Sequence, residues 1–166
     1  MSSSLTPERC VAFAIETEEL GARMYRDLAT RFASDPELCE LFQGLSADEV
    51  EHEARFRALR DRLAPGERGR SLPDDDAEYL RAMSMAEVFD TEALAKRVDG
   101  IRTRDDALER ALHLEKATLA YYQALREALG PNEALDTLIA VERKHVVKVM
   151  QLMITGARFR GLADAF

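Results

Sequence analysis

The chain has 166 residues, a formal charge of -8, 46% apolar and 33% charged residues, and only eight Gly and five Pro. That length suits one domain with a substantial core, the sparse helix breakers point to an all-α protein, and the acidic balance argues against a nucleic-acid or anionic-membrane partner while fitting one that attracts cations. No apolar run approaches the roughly 18 residues of a transmembrane helix, and Met1-Ser2-Ser3-Ser4 lacks the basic start and apolar stretch of a secretion signal, so a cytoplasmic address is expected.

Thr6-Pro7-Glu8 supplies an N-cap, a first-turn proline and an acid at the positive helix end, which predicts a first helix over about 7–32. Its apolar stripe reads Val11, Ala14, Ile15, Glu18, Ala22, Tyr25, Ala29, Phe32, with one acid in the middle. Asp35-Pro36-Glu37 repeats the start signal, and a second helix is predicted over about 36–64, ending before Pro65-Gly66. Its stripe is Leu38, Leu41, Leu45, Glu49, His52, Phe56, Leu59, Leu63.

The helical signal weakens over 65–103. Tyr79, Leu80, Met83, Met85, Val88 and Phe89 are too apolar for a free linker and predict one or two short helices. A connection this long can return the chain along the bundle, so the third main helix need not be antiparallel to the second. That third helix is predicted over about 104–129, stopping at Gly130-Pro131, with the stripe Leu108, Ala111, Leu112, Glu115, Leu119, Tyr122, Leu125, Leu129. A fourth follows over about 132–155 and stops near Gly156; its stripe is Leu135, Leu138, Glu142, His145, Val149, Leu152. The tail, 156–166, has no assignable pattern. The whole chain, 1–166, reads as a single four-helix domain.

Residues three apart on a helix share a face, about 5–6 Å from one another. Glu49 with His52, and Glu142 with His145, therefore each aim a carboxylate and an imidazole at one point of the seam. Glu18 with Tyr25 recurs as Glu115 with Tyr122, so the chain reads as two similar helical hairpins. Stacked about an approximate two-fold axis, they bring four Glu and two His to one level of the core. Burying unpaired carboxylates costs several kcal/mol each, whereas two divalent ions would balance four of them. A dinuclear metal site follows, and six oxygen and nitrogen donors without thiolate suit Fe, Mn or Zn.

At these residues the sequence resembles the ferritin-like di-iron family, most closely its rubrerythrin branch. The resemblance covers the four main helices and is carried by Glu18-Glu19-Leu20-Gly21-Ala22-Arg23-Met24-Tyr25, Glu49-Val50-Glu51-His52, Glu115 through Tyr122, and Glu142-Arg143-Lys144-His145. It implies a ferritin-like four-helix bundle with a long crossover between the second and third main helices, and two iron ions. By the same resemblance Glu49 and Glu142 bridge the ions, Glu18 and Glu115 are terminal ligands, and His52 and His145 each bind one ion. Two departures stand out. Rubrerythrins proper carry a further seam carboxylate on the third helix, where Glu115 here has Leu112 and Thr118 as helical neighbours, and a rubredoxin domain, whereas Cys10 and Cys39 form no Cys-x-x-Cys pair.

The expected activity is that of an oxidoreductase oxidising Fe(II) while reducing O2 or hydrogen peroxide. The alternatives are a peroxidase fed by an external redox protein, and an iron-binding or storage component of a larger assembly. A homo-oligomer is expected. Tyr25 and Tyr122 are candidates to hydrogen-bond the metal-binding carboxylates and tune them. Cys10 and Cys39 are expected to be buried or half-buried thiols, His113 a surface or satellite-packing residue, Met83, Met85, Met150 and Met153 core or interface gap fillers, and Glu16, Glu19, Glu51 and Glu53 solvated flanks, one of which an iron entry path could use.

Overall fold

A computed structural model describes residues 4–84 and 100–163, with 157–163 described by backbone alone. The fold is an all-α, ferritin-like bundle. Its described helices are α1 (Pro7–Arg31), α2 (Pro36–Arg62), α3 (Pro65–Arg68), α4 (Asp74–Ser84), α5 (Arg104–Leu129) and α6 (Glu133–Ala163), and no strand occurs among the described residues.

Side-chain caps set the starts of the long helices by accepting from amide groups that have no partner within the helix. Thr6 Oγ1 accepts from Arg9 N at 3.4 Å, Asp35 Oδ1 from Leu38 N at 3.1 Å, and Asn132 Oδ1 from Leu135 N at 3.1 Å. Thr103 and Asp106 form a reciprocal capping box at α5. Gly130, at φ 82°, takes the left-handed region that ends α5 and that a side chain would disfavour. The last helix is longer than the sequence suggested: it passes Gly156 and continues to Ala163. A lone glycine costs a helix only about 1 kcal/mol relative to alanine, and with no proline behind it, it does not stop the chain.

Helix directions follow from the pairs that touch. Ser46 Oγ donates to Ala22 O at 2.9 Å and Arg57 Nη2 to Glu19 Oε1 at 2.8 Å, so α1 and α2 are antiparallel. Arg126 Nε donates to Asp136 Oδ1 at 2.7 Å across the α5–α6 turn. Tyr25 reaches Glu115 while Tyr122 reaches Glu18, so α1 and α5 are antiparallel, and α2 therefore runs parallel to α5. Arg104, at the start of α5, accordingly forks onto Asp35 (2.5 Å) and Glu37 (2.7 Å) at the start of α2. The crossover makes this possible. Within it, Leu72, Ala77 and Leu80 are buried against Val11, Tyr121 and Leu125, while Met85, Val88 and Phe89 lie outside the described residues.

The apolar core is divided. One cluster gathers Leu20, Met24, Leu28, Leu38, Phe42, Leu45, Leu108, Leu114 and Val149, the other Val11, Ile15, Phe56, Leu59, Tyr121, Leu125, Leu135 and Leu138. Each fully buried large apolar side chain contributes roughly 1.5–3 kcal/mol, and the two clusters together offset the cost of the polar layer between them. On α5 the buried face is turned from the expected stripe: Leu114, Thr118 and Tyr121 are buried, whereas Leu112, Leu119 and Leu129 are half-buried. Tyr121 draws the face round by donating to Cys10 O at 3.1 Å and packing its ring on Phe13 at 4.9 Å.

Candidate metal centre

Glu18, Glu49, His52, Glu115, Glu142 and His145 are all at most 4% exposed and lie at one level between the apolar clusters. The phase of each helix puts them there: five of the six have a buried Leu, Val, Ile or Phe three or four residues away, and Glu115 lies between buried Ala111 and Thr118 with half-buried Leu112 and Leu119 beside them. Ligand atoms of Glu49, His52, Glu142 and His145 all lie within 4.8 Å of one another. Glu142 is the hub: its Oε1 is 2.8 Å from His52 Nδ1 and its Oε2 is 3.7 Å from His145 Nδ1. Glu49 Oε2 and Glu18 Oε2 stand 3.2 and 3.7 Å from His52 Nδ1, and Glu115 Oε2 stands 3.3 Å from His145 Nδ1. The two imidazole rings are nearly parallel, 5.4 Å between centroids at 24°.

Around this layer the two hairpins exchange hydrogen bonds. The Tyr25 hydroxyl donates to Glu115 Oε1 and the Tyr122 hydroxyl to Glu18 Oε1, each reaching the acid of the other hairpin. Burial, with the charges of Glu115 and Glu49 on Tyr25 and of Glu18 and Glu142 on Tyr122, holds both phenols well above their usual range, so they remain donors. Thr118 Oγ1 lies 3.3 Å from Glu142 Oε2.

Electrostatics organise the layer unevenly. Burial alone would raise Glu142, but the imidazoles of His145 and His52 outweigh it and hold its carboxyl at about 2. Burial would likewise lower the two histidines; Glu142 and Glu18 instead raise His52 to about 9, and Glu115 and Glu142 raise His145 to about 10. Burial pushes Glu115 up to about 7 against the pull of His145, and burial with the neighbouring Glu18 carboxylate pushes Glu49 well above its usual value. Protons therefore occupy the layer where cations would otherwise balance the carboxylates.

The donor set fits metal. Glu115 Oε2, Glu142 Oε1 and His145 Nδ1 are buried and form no hydrogen bond of good geometry despite the close approaches given above. Buried polar atoms are almost always satisfied. Atoms that crowd together without aligning donor to acceptor are aimed at a shared point, which is how ligands surround a cation.

Two residues of the site escape a reading of the stripe alone. Asp48 Oδ2 lies 3.1 Å from His145 Nε2, on the side of the ring away from the layer, and its own side chain is 37% exposed. A carboxylate there accepts from Nε2 and turns the Nδ1 edge of the ring inward, the edge that would bind a metal once its proton is lost. Its only sequence signal is an acid directly before Glu49, one position off the stripe. Gly21 is the other. A Cβ there would meet Glu49 Cγ at 3.4 Å and Oε1 at 3.5 Å, an ordinary contact. Gly21→Ala should accordingly fit and raise apo stability by up to about 1 kcal/mol through helix propensity, read as a higher melting temperature; a lower one would mean that Glu49 needs that space in the apo fold.

The flanking acids form surface pairs: Glu51 with Arg55 at 2.5 Å, Glu53 with Arg57 at 2.7 Å and Glu19 with Arg57 at 2.8 Å. Cys10 is buried and Cys39 half-buried, both as free thiols, and His113 is exposed. Among the described residues no helix is long and apolar enough to cross a membrane.

A carboxylate and imidazole layer inside a crossover four-helix bundle defines a candidate metal-binding protein of the ferritin-like class. A family model described as Rubrerythrin matches residues 10–99, more than half of the chain, and the chain belongs to that family of non-haem di-iron proteins. The match takes in Glu18, Glu49 and His52; Glu115, Glu142 and His145 lie beyond it. No curated protein and no solved structure matches the chain.

Proposed function

We propose that Glu18, Glu49, His52, Glu115, Glu142 and His145 hold two iron ions, and that the protein is an oxidoreductase that oxidises Fe(II) while reducing O2 or hydrogen peroxide. The observation that carries this is the convergence of six buried donors with three atoms left without a hydrogen bond of their own. Glu142, facing both imidazoles, suits the bridging position, with Glu49 opposite it; Glu18 and Glu115 suit terminal positions. Each Fe(II) gives one electron, so a pair supplies the two that convert O2 to H2O2, or H2O2 to two waters, with two protons taken up. Tyr25 and Tyr122 orient the terminal carboxylates and limit their charge donation. On binding metal His145 would give up its Nδ1 proton and keep the one on Nε2, which faces Asp48.

Ferroxidase chemistry is the first reading and a peroxidase fed by an external donor the alternative. The helical neighbours of Glu115 are Leu112 and Thr118, so no further carboxylate stands beside it on α5, and no Cys-x-x-Cys pair lies within the bundle to relay electrons. One fast oxidation of about two irons per chain is expected under O2 without a donor, followed by slower turnover set by iron leaving the site or by reduction from outside. Sustained turnover on excess Fe(II) alone supports the ferroxidase; cycling that requires a rubredoxin or flavoprotein reductant would replace it with the externally fed peroxidase. Tyr25→Phe and Tyr122→Phe should keep two irons per chain while changing the oxidation rate. Loss of iron in either variant would make that tyrosine essential to holding its carboxylate.

A further inference from the structure

The two hairpins match at the carboxylates, imidazoles and tyrosines of the layer, and the neighbouring places where they do not match bear on the ions separately. Glu49 and His52 correspond to Glu142 and His145, so Asp48 corresponds to Val141. Asp48 sets a carboxylate oxygen 3.1 Å from His145 Nε2, and Lys148 Nζ, 3.7 Å from the same oxygen, keeps that carboxylate on the α2–α6 side of the bundle. The half-buried Val141 has no oxygen to offer the other ring. The mismatch extends to Glu142 and Glu49: Thr118 sets its hydroxyl 3.3 Å from Glu142 Oε2, whereas the matching residue, Gly21, has no side chain to set against Glu49. Glu142 also has an oxygen facing each imidazole, so the more confined of the two carboxylates is also the central one.

A carboxylate on the far nitrogen of a ligating histidine fixes its ring and raises its basicity, and removing such a partner typically costs 10–100-fold in metal affinity. We infer that Asp48 is a positioning residue for one metal position only, making the His145–Glu115 position the tighter of the two, so that the centre fills in a fixed order with His145 first and His52 second. This rests on the dinuclear reading above. The exposed edge of Asp48 also places the first-filled position next to solvent through a single side chain, whereas His52 is reached by Glu142, Glu49 and Glu18 from within the layer.

Anaerobic calorimetric titration of the apo protein with Co(II), at fixed pH, tests the order. The wild type should bind two ions in two steps at least tenfold apart, and the first equivalent should bring out one paramagnetically shifted, exchangeable imidazole N–H, that of His145. Asp48→Asn, which keeps the shape and loses the charge, should weaken the first step by about 10–100-fold and leave the second within about twofold; Asp48→Ala should do the same with faster exchange of that N–H. Two ions binding with equal affinity, or equal weakening of both steps in Asp48→Asn, would overturn the inference while leaving the dinuclear centre standing. Failure of the wild type to bind two Co(II) would overturn both. If Asp48 variants do not fold, the N–H signal in the wild type decides alone, since its appearance only with the second equivalent reverses the order.

Discussion

Glu142→Ala should abolish binding of both metal ions and destabilise the apo protein by about 3–5 kcal/mol, whereas Glu49→Ala should impair metal binding with a much smaller apo penalty. The difference lies in what each removal leaves behind. Glu142 is the carboxylate held ionised between His52 and His145, so its loss takes from two protonated imidazoles the counter-charge they share, and breaking a buried ion pair from one side costs about that much. Burial and the neighbouring Glu18 push Glu49 well above its usual value, toward the neutral form, so truncating it removes less charge from the layer than truncating Glu142 does. Glu142→Gln should fall between, keeping volume and one acceptor. Urea denaturation of the apo variants, with iron counted after anaerobic loading, measures both effects. Equal apo penalties for the two alanine variants would contradict the charge assignment within the layer.

The apo protein should lose stability as pH rises from about 5 to 10, and metal should reverse the trend. Glu115 has its pKa raised to about 7 and Glu49 well above its usual value, so each stabilises the fold fully below the ordinary glutamate value of about 4.3 and loses that contribution as pH climbs through the folded value. His52 and His145 act in the same direction over a higher window, from about 6.5 in the unfolded chain to about 9 and 10 in the fold. Glu142 acts oppositely but far below, its contribution present above about 4.3 and lost only as pH falls toward about 2. The raised groups dominate between pH 5 and 10, and the summed loss is on the order of a few kcal/mol. Ligands must shed these protons to bind metal, so affinity and holo stability should rise over the same interval. Melting curves at closely spaced pH values, with and without Zn(II), read the crossing directly; an apo melting temperature that climbs steadily from pH 5 to 7.5 would contradict a layer neutralised by protons.

Much of this arrangement is written in helix periodicity. The caps at Thr6, Asp35 and Thr103 and the stop at Gly130 are local chemistry, so the starts of α1, α2 and α5 and the end of α5 can be found without tertiary information. The six polar positions stand out because each interrupts an apolar stripe at the same depth. What the stripe does not carry is contact between helices. Asp48 sits one residue off the stripe of α2 and acquires its meaning only because α6 runs past it in the opposite direction. The buried face of α5 is turned toward Leu114 and Tyr121 by a hydrogen bond to the first helix, which no spacing within α5 announces. Gly156 resembles a stop signal but is carried through, because one glycine is too weak to end a helix without a proline or a cap behind it.

The convergence of the layer also bears on why the bundle keeps two similar hairpins. Each hairpin alone would present one Glu-x-x-His and one further acid to solvent. Only the pair excludes water around them, with Tyr25 and Tyr122 each completing the other's acid. The exchange of hydroxyls couples metal binding to docking of the hairpins, since weakening either contact exposes the layer to solvent and lowers the strength of every charge interaction in it.

Anaerobic loading with Fe(II), followed by separate challenges with O2 and hydrogen peroxide, tests the central claim most directly. Two Fe(II) should bind per chain, both should be lost in Glu142→Ala, and addition of oxidant should produce diferric absorption faster than free Fe(II) is oxidised under matched conditions, with one oxidant molecule consumed per pair. Saturation at a single ion per chain with unchanged binding in the Glu142 and Glu49 variants, or a fully loaded protein that reacts with neither oxidant faster than free Fe(II), would contradict a di-iron redox centre.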